Sequence, residues 1–302
     1  MNPTMARDGM RYWRIPPDAR LRPWISCYWM VEPDPEFATS RRAPPVDEYQ
    51  LLIPDGHSEI VFSLAGRFAR WRVDEPAKRM IMRSSYVIGG RSHSVLTRNI
   101  GALRLAGVKL DPRALRELIR VPLGEFRDTT VSFEDLGCRP LLDLEDAVAN
   151  VKVPEQLASR LDRFFLESLD HTVCETTVGP LVERLRQSRG AQSILGWARE
   201  HTVDARTLER RFVGSMGMTP KQYARVVRFK HAYHRLASEG WSELKSHLDD
   251  FYDESHLNRE FRHFLGTSPL KWLAQSGSFR TSVADHLLAG DMEGGEKTGR
   301  SR

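Results

Sequence analysis

The sequence predicts an α+β protein: an N-terminal β-rich domain, barrel- or sandwich-like, joined to a C-terminal all-α domain. Three observations predict it. Short runs of β-branched and aromatic residues, cut by turn signals, fill the first third of the 302 residues. Apolar residues at helical spacing take over from about residue 140. Near the C-terminus a set of apolar, cationic and turn residues recurs at an interval of 49. A chain of this length buries two modest cores. The organisation expected is a β-rich domain over 1–139, a helical linker over 140–190, a helical domain over 191–275 and a mobile tail over 276–302.

The strands come first. Residues 24–31, 48–53, 59–64, 71–73, 85–88 and 103–109 are strand-like, and Pro54-Asp-Gly56, Ala65-Gly66 and Gly89-Gly90 separate them as turns. A helix follows Asp111, which can cap it, with Pro112 at its first position. Residues 141–148, 154–169 and 179–187 then carry apolar residues at helical spacing, and Pro154 and Gly190 act as start and stop signals.

Residues 192–200 read as a short helix, His201-Thr-Val203 as a turn, and Asp204 as the cap of a helix over 205–214 that buries Leu208 and Phe212. Gly217-Met-Thr-Pro220 stops that helix and starts a long one, from Lys221 to about Leu236, roughly 24 Å at 1.5 Å per residue. Trp241, Leu244, Leu248 and Phe251 form a further helical stripe. A second turn and cap at Tyr252-Asp253 lead into a helix over 254–264 that buries Leu257 and Phe261, and Gly266-Thr-Ser-Pro269 repeats the earlier stop. Leu208 and Leu257, Arg210 and Arg259, and Phe212 and Phe261 all stand 49 residues apart. These are two helix-turn-helix units.

Charge is concentrated in the same region. Residues 1–180 carry 25 cations and 25 anions, whereas 181–280 carry 17 against 11. Within it, residues 205–230 hold seven cations against Glu209 alone. A solvated helix face can look like this. A phosphate-binding surface is the sharper reading, because cations that release counterions supply much of DNA affinity.

The segments Asp204-Ala-Arg-Thr-Leu-Glu-Arg-Arg-Phe212, Gly217-Met-Thr-Pro-Lys221, Phe251-Tyr-Asp-Glu-Ser-His-Leu-Asn-Arg-Glu-Phe261 and Gly266-Thr-Ser-Pro269 resemble the AraC/XylS family of transcription regulators. The resemblance covers about 80 residues. It implies a seven-helix domain whose long linker helix holds two recognition helices about one DNA turn apart, roughly 34 Å. Carried over by position, it assigns base contacts to Arg206, Thr207, Glu209 and Arg210 in the first unit and to Ser255, His256, Asn258 and Arg259 in the second. Arginine can take guanine O6 and N7 together, and a carboxylate can accept from cytosine N4. Arg211, Lys221, Arg225 and Arg228 are cast as phosphate contacts, which set register and carry no sequence information. One departure matters. Residues 242–250 contain Lys245, His247 and two aspartates, with no glycine in the turn, and residues 241–262 carry six anions against three cations. Like charge facing phosphate lowers affinity, so the second unit is expected to bind DNA weakly or only to adjust position.

The N-terminal segments Tyr12-Trp-Arg-Ile-Pro-Pro17, 21–29, 54–62 and 107–112 are similar to a domain found in a subset of these regulators. That implies a sensing or dimerising module, with Trp24, Tyr28, Trp29, His57, Glu59 and Arg91 as candidate effector-pocket residues. Aromatic strands also serve as plain core. The partners expected are double-stranded DNA, a small-molecule effector, RNA polymerase and a second copy of the chain, with no membrane.

An enzyme is the rival class. His57, Glu59 and His93 are the residues such a reading would use, but nothing in their spacing fixes a metal or acid–base geometry. DNA-alkylation repair proteins that carry this kind of reader use a four-cysteine zinc module, which Cys27, Cys138 and Cys174 do not match. A scaffold that binds DNA without sequence preference is the third class. No catalytic residue, metal or cofactor is expected. Neither a nucleotide-binding loop nor a secretory signal is legible, and the sparse cysteines point to the cytoplasm.

Overall fold

Tyr28 and Trp29 are neighbours in one strand and face opposite sides of its sheet, as the two-residue period of a strand requires. Both are buried, so this sheet is covered on both faces. The computed structural model describes residues 4–5, 10–35, 49–169, 178–246, 251 and 253–279. Cys174, His247, Leu248, Asp249, Asp250, Tyr252 and the tail beyond Phe279 lie outside the described residues.

Among the described residues nine strands form a single antiparallel sheet: β1 (Thr4–Met5), β2 (Met10–Ile15), β3 (Ile25–Pro33), β4 (Gln50–Leu52), β5 (Ser58–Arg72), β6 (Met80–Met82), β7 (Tyr86–Ile88), β8 (Val95–Leu110) and β9 (Thr130–Ser132). Their order is β1-β2-β3-β8-β5-β7-β9, with β4 on the far half of β8 and β6 on the far half of β5. The long pair β5–β8 folds over on itself. Ser58–Ser63 pair with Leu105–Leu110, the register slips twice, and Arg67–Arg72 then pair with Val95–Ile100. Gly66, expected in a turn between two strands, instead lies within one continuous bent strand. Its φ is +79°, and a Cβ there would stand 2.1 Å from the Ala102 carbonyl oxygen, so only glycine lets the two backbones meet at this bend. The sheet's ends, β1 and β9, do not pair with each other among the described residues. The domain is therefore an open, sandwich-like sheet and not a closed barrel.

One face of the sheet, with Ile15, Tyr28, Met30, Ile60, Phe62 and Val108, packs against four helices. These are α1 (Pro112–Ile119), α2 (Phe133–Leu136), α3 (Arg139–Ala149) and α4 (Pro154–Ser168). Asp111 caps α1 as its sequence predicts, accepting from the Arg113 amide. The other face, with Trp29, Val31, Val61, Phe68, Tyr86, Leu103 and Leu105, lies inside the fold-over.

The remaining helices are α5 (Val178–Gln187), α6 (Ile194–Glu200), α7 (Ala205–Met216), α8 (Pro220–Glu239), α9 (Trp241–Ser246), α10 (Glu254–Leu265) and α11 (Pro269–Phe279). They share a separate core, which Leu51 and Ile53 of the β-rich domain also join. The segment expected as a linker thus divides, with α3 and α4 packing on the sheet and α5 on the helical domain. Residues 276–279, expected in the tail, are the last turn of α11.

Candidate nucleic-acid interface

Two helix-turn-helix units are built by the same local devices. In the first, Ser193 caps α6 and Asp204 caps α7, the latter accepting from the Thr207 amide at 2.8 Å. That hydrogen bond, to the backbone first, holds the Asp204 carboxyl below its ordinary pKa. Leu208 and Phe212 are buried, while Arg206, Glu209, Arg210 and Arg211 are exposed and Thr207 is half-buried. Gly217 ends α7 with φ +73°. Thr219 then opens α8 with a reciprocal capping box, its side chain accepting from the Gln222 amide while Gln222 accepts from the Thr219 amide.

In the second unit Asp253 caps α10 by accepting from the His256 amide at 2.6 Å, and Gly266 ends it with φ +71°. Leu257 and Phe261 are buried, and Ser255, Arg259 and Arg262 are exposed. His256 and Asn258 are half-buried. Asn258 donates to the Glu254 carbonyl at 2.9 Å, and His256 Nε2 stands 3.9 Å from Glu260. These two therefore engage their own helix.

The twenty residues of α8 span roughly 30 Å at 1.5 Å per residue, longer than the sequence suggests. Phe212 of α7 meets Tyr223 near its start, with ring centroids 5.7 Å apart. Phe264 of α10 stacks on Phe229 at 4.2 Å, and Trp272 of α11 packs on Tyr233. The first unit thus packs on the first turn of α8, and the second packs along its middle, at Arg225, Phe229 and Tyr233.

Of the four residues cast as phosphate contacts, Lys221 and Arg211 are exposed. Arg225 and Arg228 are held by protein acceptors instead. Arg225 makes two hydrogen bonds of 2.9 Å to Glu260, and Arg228 donates to the Gly190 carbonyl at 3.0 Å. Sequence gives no signal for the Arg225–Glu260 pair, because its members lie 35 residues apart.

The candidate pocket residues scatter. Trp29 and Glu59 line a cavity inside the fold-over, between apolar walls that include Val61, Phe68, Ile88 and Leu105. Buried Arg91 donates to Glu59 at 2.8 Å. Tyr28 faces the opposite side and donates to Asp162 at 2.8 Å, and burial raises its hydroxyl pKa. Trp24 lies beneath the Arg113 guanidinium. His57 sits 3.6 Å from Asp55, which is buried and paired with Lys109 at 2.6 Å. Sequence missed Arg70, a buried cation on the cavity wall that donates to Thr130 at 2.5 Å. His93 binds neither His57 nor Glu59; it lies beside Ser92 and Asp128.

Two aspartate-capped units pack on one long helix, the first exposing Arg206 and Arg210 from the first half of α7 and the second exposing Arg259 and Arg262 from the middle of α10 onward. Residues 197–275 match a family described as a helix-turn-helix domain, and residues 13–132 match a domain of unknown function (DUF6597). No curated protein matches the chain. Among solved structures, ToxT from Vibrio cholerae O395 is 11% identical, covering 75% of this chain and 96% of its own, with a TM-score of 0.40. An apo variant of ToxT from Vibrio cholerae strain SCE256 is 8% identical, covering 91% and 99%, with a TM-score of 0.40. The AraC-like transcriptional activator CuxR is 13% identical, covering 78% and 81%, with a TM-score of 0.22. Residues 197–275 are a helix-turn-helix domain. No helix among the described residues is long and apolar enough to cross a membrane.

Proposed function

We propose that α7 and α10 enter two successive major-groove segments of one duplex, and that a small molecule in the β-rich domain controls this binding. On this reading the chain is a transcription regulator of the AraC type, and the observation that carries the first part is the repeat: two helices 49 residues apart, each capped by aspartate and each packed on α8.

On this reading Arg206, Thr207, Glu209 and Arg210 read bases in the first groove, and Ser255, His256, Asn258 and Arg259 read the second. Arg211 and Lys221 contact phosphate. Arg225 and Arg228 shape the reader. The effector site is the cavity bounded by Trp29, Glu59 and Arg70, which sits inside the bend of β5 and β8. The protein acts in the cytoplasm without catalysis, with RNA polymerase and a second copy as further partners.

The test is selection of the purified chain against random duplexes at about 0.15 M salt, with sequencing of the bound fraction. One enriched motif, lost in Arg206→Ala plus Arg210→Ala, is the expected result. Equal recovery of all sequences, with and without those substitutions, would overturn it.

A further inference from the structure

Arg206, Arg210 and Val213 stand four and three residues apart, so they form one line along α7. The β-rich domain covers the last of them. A Cβ added at Gly124 would stand 3.1 Å from Val213 Cγ1, and one added at Gly217 would stand 3.0 Å from the Leu123 carbonyl oxygen. The 3₁₀ turn Leu123–Phe126 thus rests on the C-terminal end of the stripe that carries the candidate base contacts.

Scale decides what this turn would meet. From Arg206 to Val213 is roughly 10.5 Å along the helix at 1.5 Å per residue. A major groove is about 12 Å wide. With Arg206 and Arg210 inside the groove, Val213 reaches its far lip, and the turn lying over Val213 comes against the sugar–phosphate strand. Two exposed arginines flank that turn. Arg120 closes α1 in a left-handed conformation, with φ 55°. Arg127 donates to the side chain of Gln222 at 3.3 Å. Gln222 follows Lys221 in the first turn of α8, so Arg127 extends the cationic surface of the reader across the domain boundary. Glu125 is the exposed anion between the two.

We infer that the Leu123–Phe126 turn is part of the DNA interface, with Arg120 and Arg127 contacting the phosphates that border the groove read by α7. The inference rests on α7 being a groove-entering helix. It gives the β-rich domain a direct share of DNA affinity that carries no sequence information.

The test is binding of the full chain to its selected duplex and to an unrelated one across a range of salt. Arg120→Ala plus Arg127→Ala should flatten the plot of log K against log salt by about one to two units on both duplexes, near 0.9 per phosphate lost. The selected motif should stay the same. Arg120→Lys plus Arg127→Lys should keep the slope, and Glu125→Gln should tighten binding at low salt. An unchanged slope in the alanine variant, or tighter binding by it, would overturn the inference. Arg206→Ala plus Arg210→Ala, run in parallel, separates the two levels. If that pair abolishes the motif while the Arg120/Arg127 pair leaves the slope alone, the turn is not at the DNA but the groove reading stands. If the Arg206/Arg210 pair leaves the motif intact, both readings fall.

Discussion

Arg225 of the linker helix grips Glu260 of the second recognition helix through two parallel hydrogen bonds of 2.9 Å each. Glu260 is only 7% exposed, and Arg225 supplies its two hydrogen bonds, with His256 Nε2 3.9 Å away. The planar guanidinium matches a carboxylate at both oxygens, which fixes orientation as well as distance. The same guanidinium lies over the Phe264 ring, and Phe264 stacks on Phe229 of the linker. Together these contacts hold α10 against the first half of α8.

Arg225→Ala leaves a buried carboxylate without its two hydrogen bonds, with only His256 near it. The cost expected lies at the low end of the roughly 3–5 kcal/mol seen for broken buried pairs, since the arginine side chain is 36% exposed. Arg225→Lys should recover only part of it, because an ammonium cannot make both bonds in one plane. Urea unfolding measures both, and a loss below about 0.5 kcal/mol in the alanine variant would contradict this account.

The two recognition helices should differ in weight. Arg206→Ala is expected to cost about 1–3 kcal/mol on the selected duplex and to relax one base position. Arg259→Ala should cost less than Arg210→Ala, because residues 241–262 carry six anions against three cations. Competition binding with single-base variants of the duplex distinguishes them.

Lys221→Ala should weaken every sequence alike and reduce the salt slope by about 0.9. A change confined to the selected duplex would place Lys221 on a base edge.

His231 gives the fold a signed pH dependence. Burial first, then the neighbouring Lys230 and Arg189, lower its pKa from 6.5 to about 4. The unfolded chain takes up the proton first as pH falls, so the neutral form stabilises the fold. The His231 contribution to stability should be lost as pH falls from about 6.5 to about 4. His231→Gln should remove that component, as read from unfolding midpoints measured across the same window.

Gly66→Ala should destabilise the β-rich domain by more than about 1 kcal/mol, since it meets a positive φ and a backbone clash together. The measurement is thermal unfolding. A neutral result would mean that β5 straightens without cost.

The reader was legible because its signals are local. Asp204, Thr219 and Asp253 cap the helices that follow them, and Gly217 and Gly266 stop them, each acting through hydrogen bonds that span a few residues. The stripe Leu208–Phe212 and its copy Leu257–Phe261 are buried as their spacing requires. The N-terminal pocket was much less legible. Tyr28 and Trp29 look equivalent in sequence, yet one faces the helices and the other the cavity. Gly66 carries the same turn signal whether it ends a strand or bends one.

The sequence by itself determined the two-part architecture, the paired helix-turn-helix units and the basic character of the reader. Caps, periodicity and composition act within a few residues of one another, and these are their direct consequences. Only the tertiary structure decided which strand face encloses the cavity, that the sheet stays open, that Arg225 holds Glu260, and that a turn of the β-rich domain rests on α7. Each of those depends on groups brought together from distant positions, as Tyr28 and Asp162 are across 134 residues. Burial of whole faces chooses such partners, and no local pattern records that choice.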